Sequence, residues 1–261
     1  MTEENSKKSL FKKIIDSIDS FFNDDTTYYA ASLSFFTIFS ILPIIALGIA
    51  LISTFSEFDA YLDIFTNYIL NFLNPTHSED IVSSLKNYIS NSSKLGFIGI
   101  FYMLFVFIMF FKDYDYIVNK IHQTKKRAIY KSFFIYLILF ILFPSIFVLV
   151  TLLNTFHEND ILKYSSSFIF TWFMFFALFK ISINKQIDTK AALISSFITL
   201  AILSITKNLF VYYVVYNKTY TTIYGSLATL LFSFLWIYIS WVIYLYGIKI
   251  CHKLNILKHM E

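Results

Sequence analysis

The sequence predicts an all-α fold, a polytopic membrane bundle of about six transmembrane helices, and three observations predict it. Of 261 residues, 57% are hydrophobic and 21% aromatic while only 15% are charged, more apolar surface than a soluble core of this size buries. The mean hydropathy is +0.64. The apolar residues fall into runs near the roughly 20 residues that a helix needs to cross about 30 Å of hydrocarbon at about 1.5 Å per residue.

The runs are residues 29–54, 95–111, 132–153, 164–183, 191–216 and 223–248. The second is the shortest and reaches full length only if it extends through 112–116 by snorkelling. Before the first run, residues 9–22 place Leu10, Ile14, Ile15, Ile18, Phe21 and Phe22 near helical spacing beside Lys12, Lys13, Asp16 and Asp19. That pattern predicts an amphipathic helix at the inner interface. Between the first two runs, 61–72 and 79–89 flank the breaker Asn74-Pro75, and Ser78 is placed to cap the second piece. An external helical hairpin within 55–94 is expected there. The expected division is an arm at 1–28, a membrane domain at 29–250 and a tail at 251–261.

Orientation follows from the basic residues. Lys7, Lys8, Lys12 and Lys13 precede the first run, and Lys112, Lys120, Lys125, Lys126, Arg127 and Lys131 follow the second. Lys185, Lys190, Lys249, Lys253 and Lys258 continue on the same side, whereas the alternate loops hold Lys86 and Lys94, then Lys163, then Lys218. By the positive-inside rule both termini are expected in the cytoplasm. The net charge of +4 is dispersed in these clusters rather than gathered on one face, so specific nucleic-acid binding is not expected. One Cys and five scattered His offer neither a disulfide framework nor a metal-ligand spacing, and no metal or cofactor is expected. The N-terminus has no apolar core of a cleavable signal.

Several motifs together resemble a known family. In the first run, Ala30-Ala31-Ser32-Leu33-Ser34-Phe35-Phe36 leads to Phe39-Ser40-Ile41-Leu42-Pro43. Across the last two runs stand Lys207-Asn208-Leu209-Phe210, Tyr213, Tyr224-Gly225-Ser226 and Leu235-Trp236-Ile237-Tyr238. With Asp115, Asn119 and Pro144, this order is similar to the YihY or virulence factor BrkB family, over about 22–249. Where such proteins commonly close the last span with a Glu, this chain has Gly247-Ile248-Lys249. The resemblance implies a six-helix protein of the bacterial inner (cytoplasmic) membrane and no agreed activity. A ribonuclease reading attached to such proteins is not expected here, because no cluster of His and carboxylates suited to phosphodiester hydrolysis is visible.

Lys207 is the leading candidate for function. An ionisable group inside a span costs roughly 2.5–3.5 kcal/mol on insertion scales and is usually turned toward protein or water. It reads either as a bundle-facing cation or as a lysine snorkelling outward. Ser204 and Ser196 lie within about 80° of it on a helical wheel, a thin polar stripe that reads equally as helix packing. Pro43 and Pro144, mid-run, are expected to kink their helices, as gates or as packing devices. Asp113, Asp115 and Asn119 are expected in a solvated loop, a lipid-headgroup mouth being the other reading. Tyr212, Tyr213, Tyr216, Tyr220 and Tyr224 are expected to form an interfacial aromatic belt.

Two functions remain open. One is export or translocation of an anionic or amphipathic solute or lipid by a bundle expected to be oligomeric, with the lipid bilayer and its headgroups as partners. The other is a non-catalytic envelope scaffold.

Overall fold

The computed structural model describes residues 25–52, 96–155, 160–216 and 226–258, with Ser83 and Asn87 as isolated helical positions. The expected amphipathic arm lies outside the described residues, as do Tyr220, Tyr224, Gly225 and, apart from those two positions, the external hairpin.

Among the described residues six helices follow one another: α1 (Asp25–Ile52), α2 (Gly96–Ile121), α3 (Ile129–Thr155), α4 (Asp160–Ile181), α5 (Thr189–Tyr216) and α6 (Ser226–Lys258). No strand occurs among the described residues. Among the described residues four segments are long and apolar enough to cross a membrane: Ile129–Leu152, Ile161–Ile181, Thr189–Tyr216 and Leu231–Lys258. Exposed Phe, Ile and Leu side chains cover the outside of the bundle, as expected where lipid replaces water as solvent.

The helices close a ring. α1 packs on α2 and α6, α2 on α3, α3 on α4, α4 on α5, and α5 on α6, with α6 also reaching α2 and α1 reaching α3. Every short connection described here, 122–128 and 182–188, lies at one end, and that end gathers Lys120, Lys125, Lys126, Arg127, Lys185, Lys190 and Lys258. It is the basic end of the bundle.

Two helices run past their expected spans. α2 continues to Ile121 and α6, at 33 residues, to Lys258. At about 1.5 Å per residue α6 is about 50 Å long, well beyond the hydrocarbon thickness, so its last turns project at the basic end. Asp113, Asp115, Asn119 and Asn255 lower the hydropathy of these turns, yet a helix tolerates such residues once they find partners. The expected separate tail at 251–261 is therefore, through Lys258, a continuation of α6, with Cys251 and Asn255 buried.

Local chemistry sets the helix ends. Asp188 caps α5: its Oδ2 accepts from the backbone N–H of Lys190 at 3.1 Å and of Ala191 at 3.2 Å. α2 stops in a two-bond C-terminal turn, with the N–H of Thr124 to the carbonyl of Asn119 at 2.9 Å and of Gln123 to that of Lys120 at 3.1 Å. This turn places Gln123 at φ 53°, the left-handed region that glycine occupies more easily. Pro43 and Pro144 both lie within helices that continue past them, α1 and α3.

Candidate functional site

The polar interior is concentrated at the basic end, and Asn119 organises it. Its side chain is fully buried. Nδ2 donates to the carbonyls of Asp115 at 2.8 Å and Ser182 at 3.1 Å, while Oδ1 accepts from Thr124 Oγ1 at 2.7 Å and from the Asn184 N–H at 2.7 Å. One amide thus ties the end of α2 to the turn after α4, and all four of its hydrogen-bonding positions are used.

Arg127 does the same from the α2–α3 connection. Its Nη2 donates to the carbonyls of Ile181 at 2.6 Å and Ile183 at 2.8 Å, the orphan acceptors where α4 ends. Its Nη1 lies 3.7 Å from Asp115 Oδ1, which also accepts from Tyr136 at 2.9 Å. Above this layer Tyr114 donates to Ser182 Oγ at 3.2 Å, and its hydroxyl pairs with that of Tyr244. Trp241 stacks edge-on against Tyr244 and donates to Thr37 Oγ1 at 2.8 Å, closing the layer from α1.

The expectation of a solvated loop at Asp113, Asp115 and Asn119 is therefore corrected. Asp115 and Asn119 lie on α2 and are 4% and 0% exposed, because the connections at both sides offer the backbone and arginine partners that sequence spacing does not reveal. In the sequence Arg127 reads as one member of the basic cluster just beyond these residues, in a solvated loop or a headgroup mouth, and not as a buried partner of the backbone. A signal was present: it is the only arginine among 21 basic residues, and a planar fork that serves two carbonyls at once is what lysine cannot supply.

Beside this network the ring of His122 packs against that of His252, with centroids 4.9 Å apart. Burial first, then the neighbouring imidazole, pushes the His122 pKa down to about 3, so it stays neutral at physiological pH. At the α4–α5 turn the Asn255 side chain accepts from the Asp188 N–H at 2.8 Å, and Lys258 pairs with Asp188, holding its carboxyl below the usual range.

In the apolar part of the bundle, a cavity of about 130 Å³ lies among α1, α4, α5 and α6, lined by Thr37, Phe175, Leu203, Trp236, Ser240 and Tyr244. Lys207 follows Leu203 by one helical turn and precedes Phe210 by three residues; both of these are buried, and Lys207 itself is half-buried. α5 runs away from the basic end, so the side chain of Lys207 leans back toward the level of Leu203. It has no hydrogen-bond or ion-pair partner among the described residues.

The expected Ser196, Ser204 and Lys207 stripe is not assembled. Ser196 is buried at the α4–α5 contact, where Trp172 Nε1 donates to its hydroxyl at 3.1 Å, whereas Ser204 is exposed on the outer face. About 80° of helical arc separates a packed face from an outer one once neighbours are in place. Of the other family motif residues, Phe210 packs its ring 5.3 Å from Trp236 to join α5 and α6, Tyr213 is exposed beside Phe232, and Tyr238 is half-buried. Tyr212, Tyr213 and Tyr216 are exposed at the end remote from the basic layer. α5 and α6 come close together at Gly247, where a Cβ would run into Thr199 Oγ1. Among the described residues no three His, Cys, Asp or Glu side chains gather to hold a metal.

An all-helical ring with lipid-compatible flanks and a polar layer at one end defines a polytopic integral membrane protein. The chain belongs to the virulence factor BrkB family, which it matches over residues 17–255. It is 28% identical to a UPF0761 membrane protein of Pseudoalteromonas atlantica, across 91% of this chain and 84% of the relative. A UPF0761 membrane protein of Haemophilus influenzae is also 28% identical, across 87% of this chain and 88% of that one. No solved structure matches the chain.

Proposed function

We propose that this integral membrane protein translocates an anionic or amphipathic solute or lipid across the bacterial inner membrane, with both termini cytoplasmic and without catalysing covalent chemistry. The observation that carries this reading is Lys207. A half-buried cation deep within a membrane helix, one turn from a cavity wall and without a described partner, is expensive to keep unless it meets negative charge during function. The cavity walled by Leu203, one turn before Lys207, also has Trp241 and Tyr244 on its wall, and these two join Tyr114 in a layer toward the basic end. Such a layer suits a barrier that a substrate must pass. The basic end, rich in lysine and holding the short connections, supports a cytoplasmic assignment.

The test compares secreted metabolites and the lipids of each membrane leaflet among cells lacking the protein, cells restored with it, and cells restored with Lys207→Gln at equal abundance. A compound retained or misplaced in both the null and the Lys207→Gln cells is the expected result. If no compound shifts in either while envelope assembly fails in the null, translocation is wrong and the protein is a scaffold.

A further inference from the structure

At the basic end, on the outer side of α2 and α3, lies a cavity of about 330 Å³ that combines the cations Lys112, Lys126 and Arg127 with the apolar side chains Ile108, Phe111 and Phe133. We propose that this cavity is a binding site for a phosphate group, seated on Arg127 with Lys112 and Lys126 around it and carried by an amphipathic molecule whose apolar part lies along Ile108, Phe111 and Phe133.

The arginine is prepared for a ligand. Its side chain is nine-tenths buried, and its two Nη2 bonds to the carbonyls of Ile181 and Ile183 fix the plane of the guanidinium before anything binds. Its Nη1 is buried and makes no hydrogen bond. The 3.7 Å separation from Asp115 is too long for one, and Asp115 Oδ1 is already engaged by Tyr136. Arg127 is one of the cavity's lining residues; a buried guanidinium N–H without a hydrogen bond is costly unless an acceptor arrives, and a phosphate oxygen that enters between Nη1 and the cavity is the acceptor that arginine geometry suits best.

Charge agrees in sign and size. The cavity wall carries three cations against the carboxylates of Asp113 and Asp115, a net of one positive charge, which a singly charged phosphodiester neutralises. Lys126 is held at the site by its contact with the Tyr116 ring, 4.3 Å from Nζ to the ring centre.

The direction of the lining points to an amphipathic carrier. α2 runs toward the basic end and α3 away from it, so Ile108 and Phe111 on one helix and Phe133 on the other lie on the bundle side of the charged groups. Residues 108, 111, 112, 115 and 116 follow the spacing of a single helix face. A headgroup therefore sits at the membrane surface with its chain beside the helices. As the loading site for a translocated molecule this deepens the reading built on Lys207, but binding itself is measured without transport.

The test uses the full chain purified in detergent micelles, with dioleoyl phosphatidylglycerol, dioleoylglycerol and inorganic phosphate as probes in equilibrium binding. Phosphatidylglycerol is expected to bind and dioleoylglycerol, which has the same chains and no phosphate, is not. Lys112→Gln combined with Lys126→Gln is expected to weaken phosphatidylglycerol about tenfold with an unchanged melting temperature. Arg127→Gln is expected to abolish binding; because it also removes two carbonyl bonds, the lysine pair decides the matter if that variant does not fold.

Inorganic phosphate separates the two sources of the same chemistry. Failure to displace the lipid supports a headgroup site, and displacement at comparable concentration overturns the amphipathic carrier in favour of free phosphate. Equal binding of dioleoylglycerol, or unchanged phosphatidylglycerol affinity in the lysine variant, overturns the proposal. Neither result touches Lys207, and loss of transport with Lys207→Gln leaves this site intact, so the two readings fail separately.

Discussion

The basic end and the apolar body of this bundle hold their helices together by different means. At the basic end, side chains of Asn119, Arg127 and Asn255 reach from one helix or connection to the open backbone groups of another. In the apolar body the α5–α6 pair relies on shape: Phe210 lies against Trp236, and Gly247 lets the Thr199 side chain press against bare backbone. The difference teaches where each kind of adhesive works. Between helices in hydrocarbon there is no gain from hiding apolar surface, so close approach through small residues takes its place. Near the surface, helix ends leave carbonyls and N–H groups unpaired, and long polar side chains are the means of satisfying them.

Breaking the polar end gives the largest expected effect. Asn119→Ala leaves the Asn184 N–H and the Ser182 carbonyl without their buried partner, and about 3 kcal/mol of stability is expected to go with them. Thermal unfolding of the purified protein in detergent measures it, and a change under about 1 kcal/mol would mean that water replaces the amide.

The apolar body is probed by Gly247→Ala. The added Cβ meets Thr199 Oγ1, so an overpacking cost of about 2 kcal/mol is expected. Thr199→Ala in the same chain should recover part of it, since it removes the two atoms that would clash with Gly247→Ala beyond the Thr199 Cβ itself. No recovery in the double variant would show that the contact does not limit helix approach.

The smallest effect sharpens the comparison at its border. Gln123→Gly relieves the left-handed backbone at the end of α2 and is expected to stabilise by about 0.5 kcal/mol, because what the folded turn gains is partly returned to the more flexible unfolded chain. An equal loss of stability would instead give the Gln123 side chain a role in holding that turn.

Much of the architecture was legible from residues alone. Hydropathy placed six helices in order, and the bounds of α1, α3 and α5 fall within a few residues of the apolar runs. The errors were at the ends of α2 and α6, where polar residues interrupt the apolar signal without interrupting the helix. The candidate site was less legible. Lys207 is an isolated charge in an apolar run and stands out in one dimension, but Ser196 and Ser204, near it on a helical wheel, face different surroundings in the packed bundle. His122 and His252, 130 positions apart, have no spacing pattern and meet only where α2 ends beside α6.

The sequence by itself determined the solvent of this protein, its helices and the end that is basic, because each follows from local composition and the thickness of a bilayer. Only the tertiary structure decided which charges are used. Arg127 and Asp115 become a buried pair, and Arg127, which lines a cavity, keeps an unused N–H, because two connections distant in sequence fold against each other at one end of the ring. Burial and partnership are properties of that meeting, and a residue's type carries neither until the helices have packed.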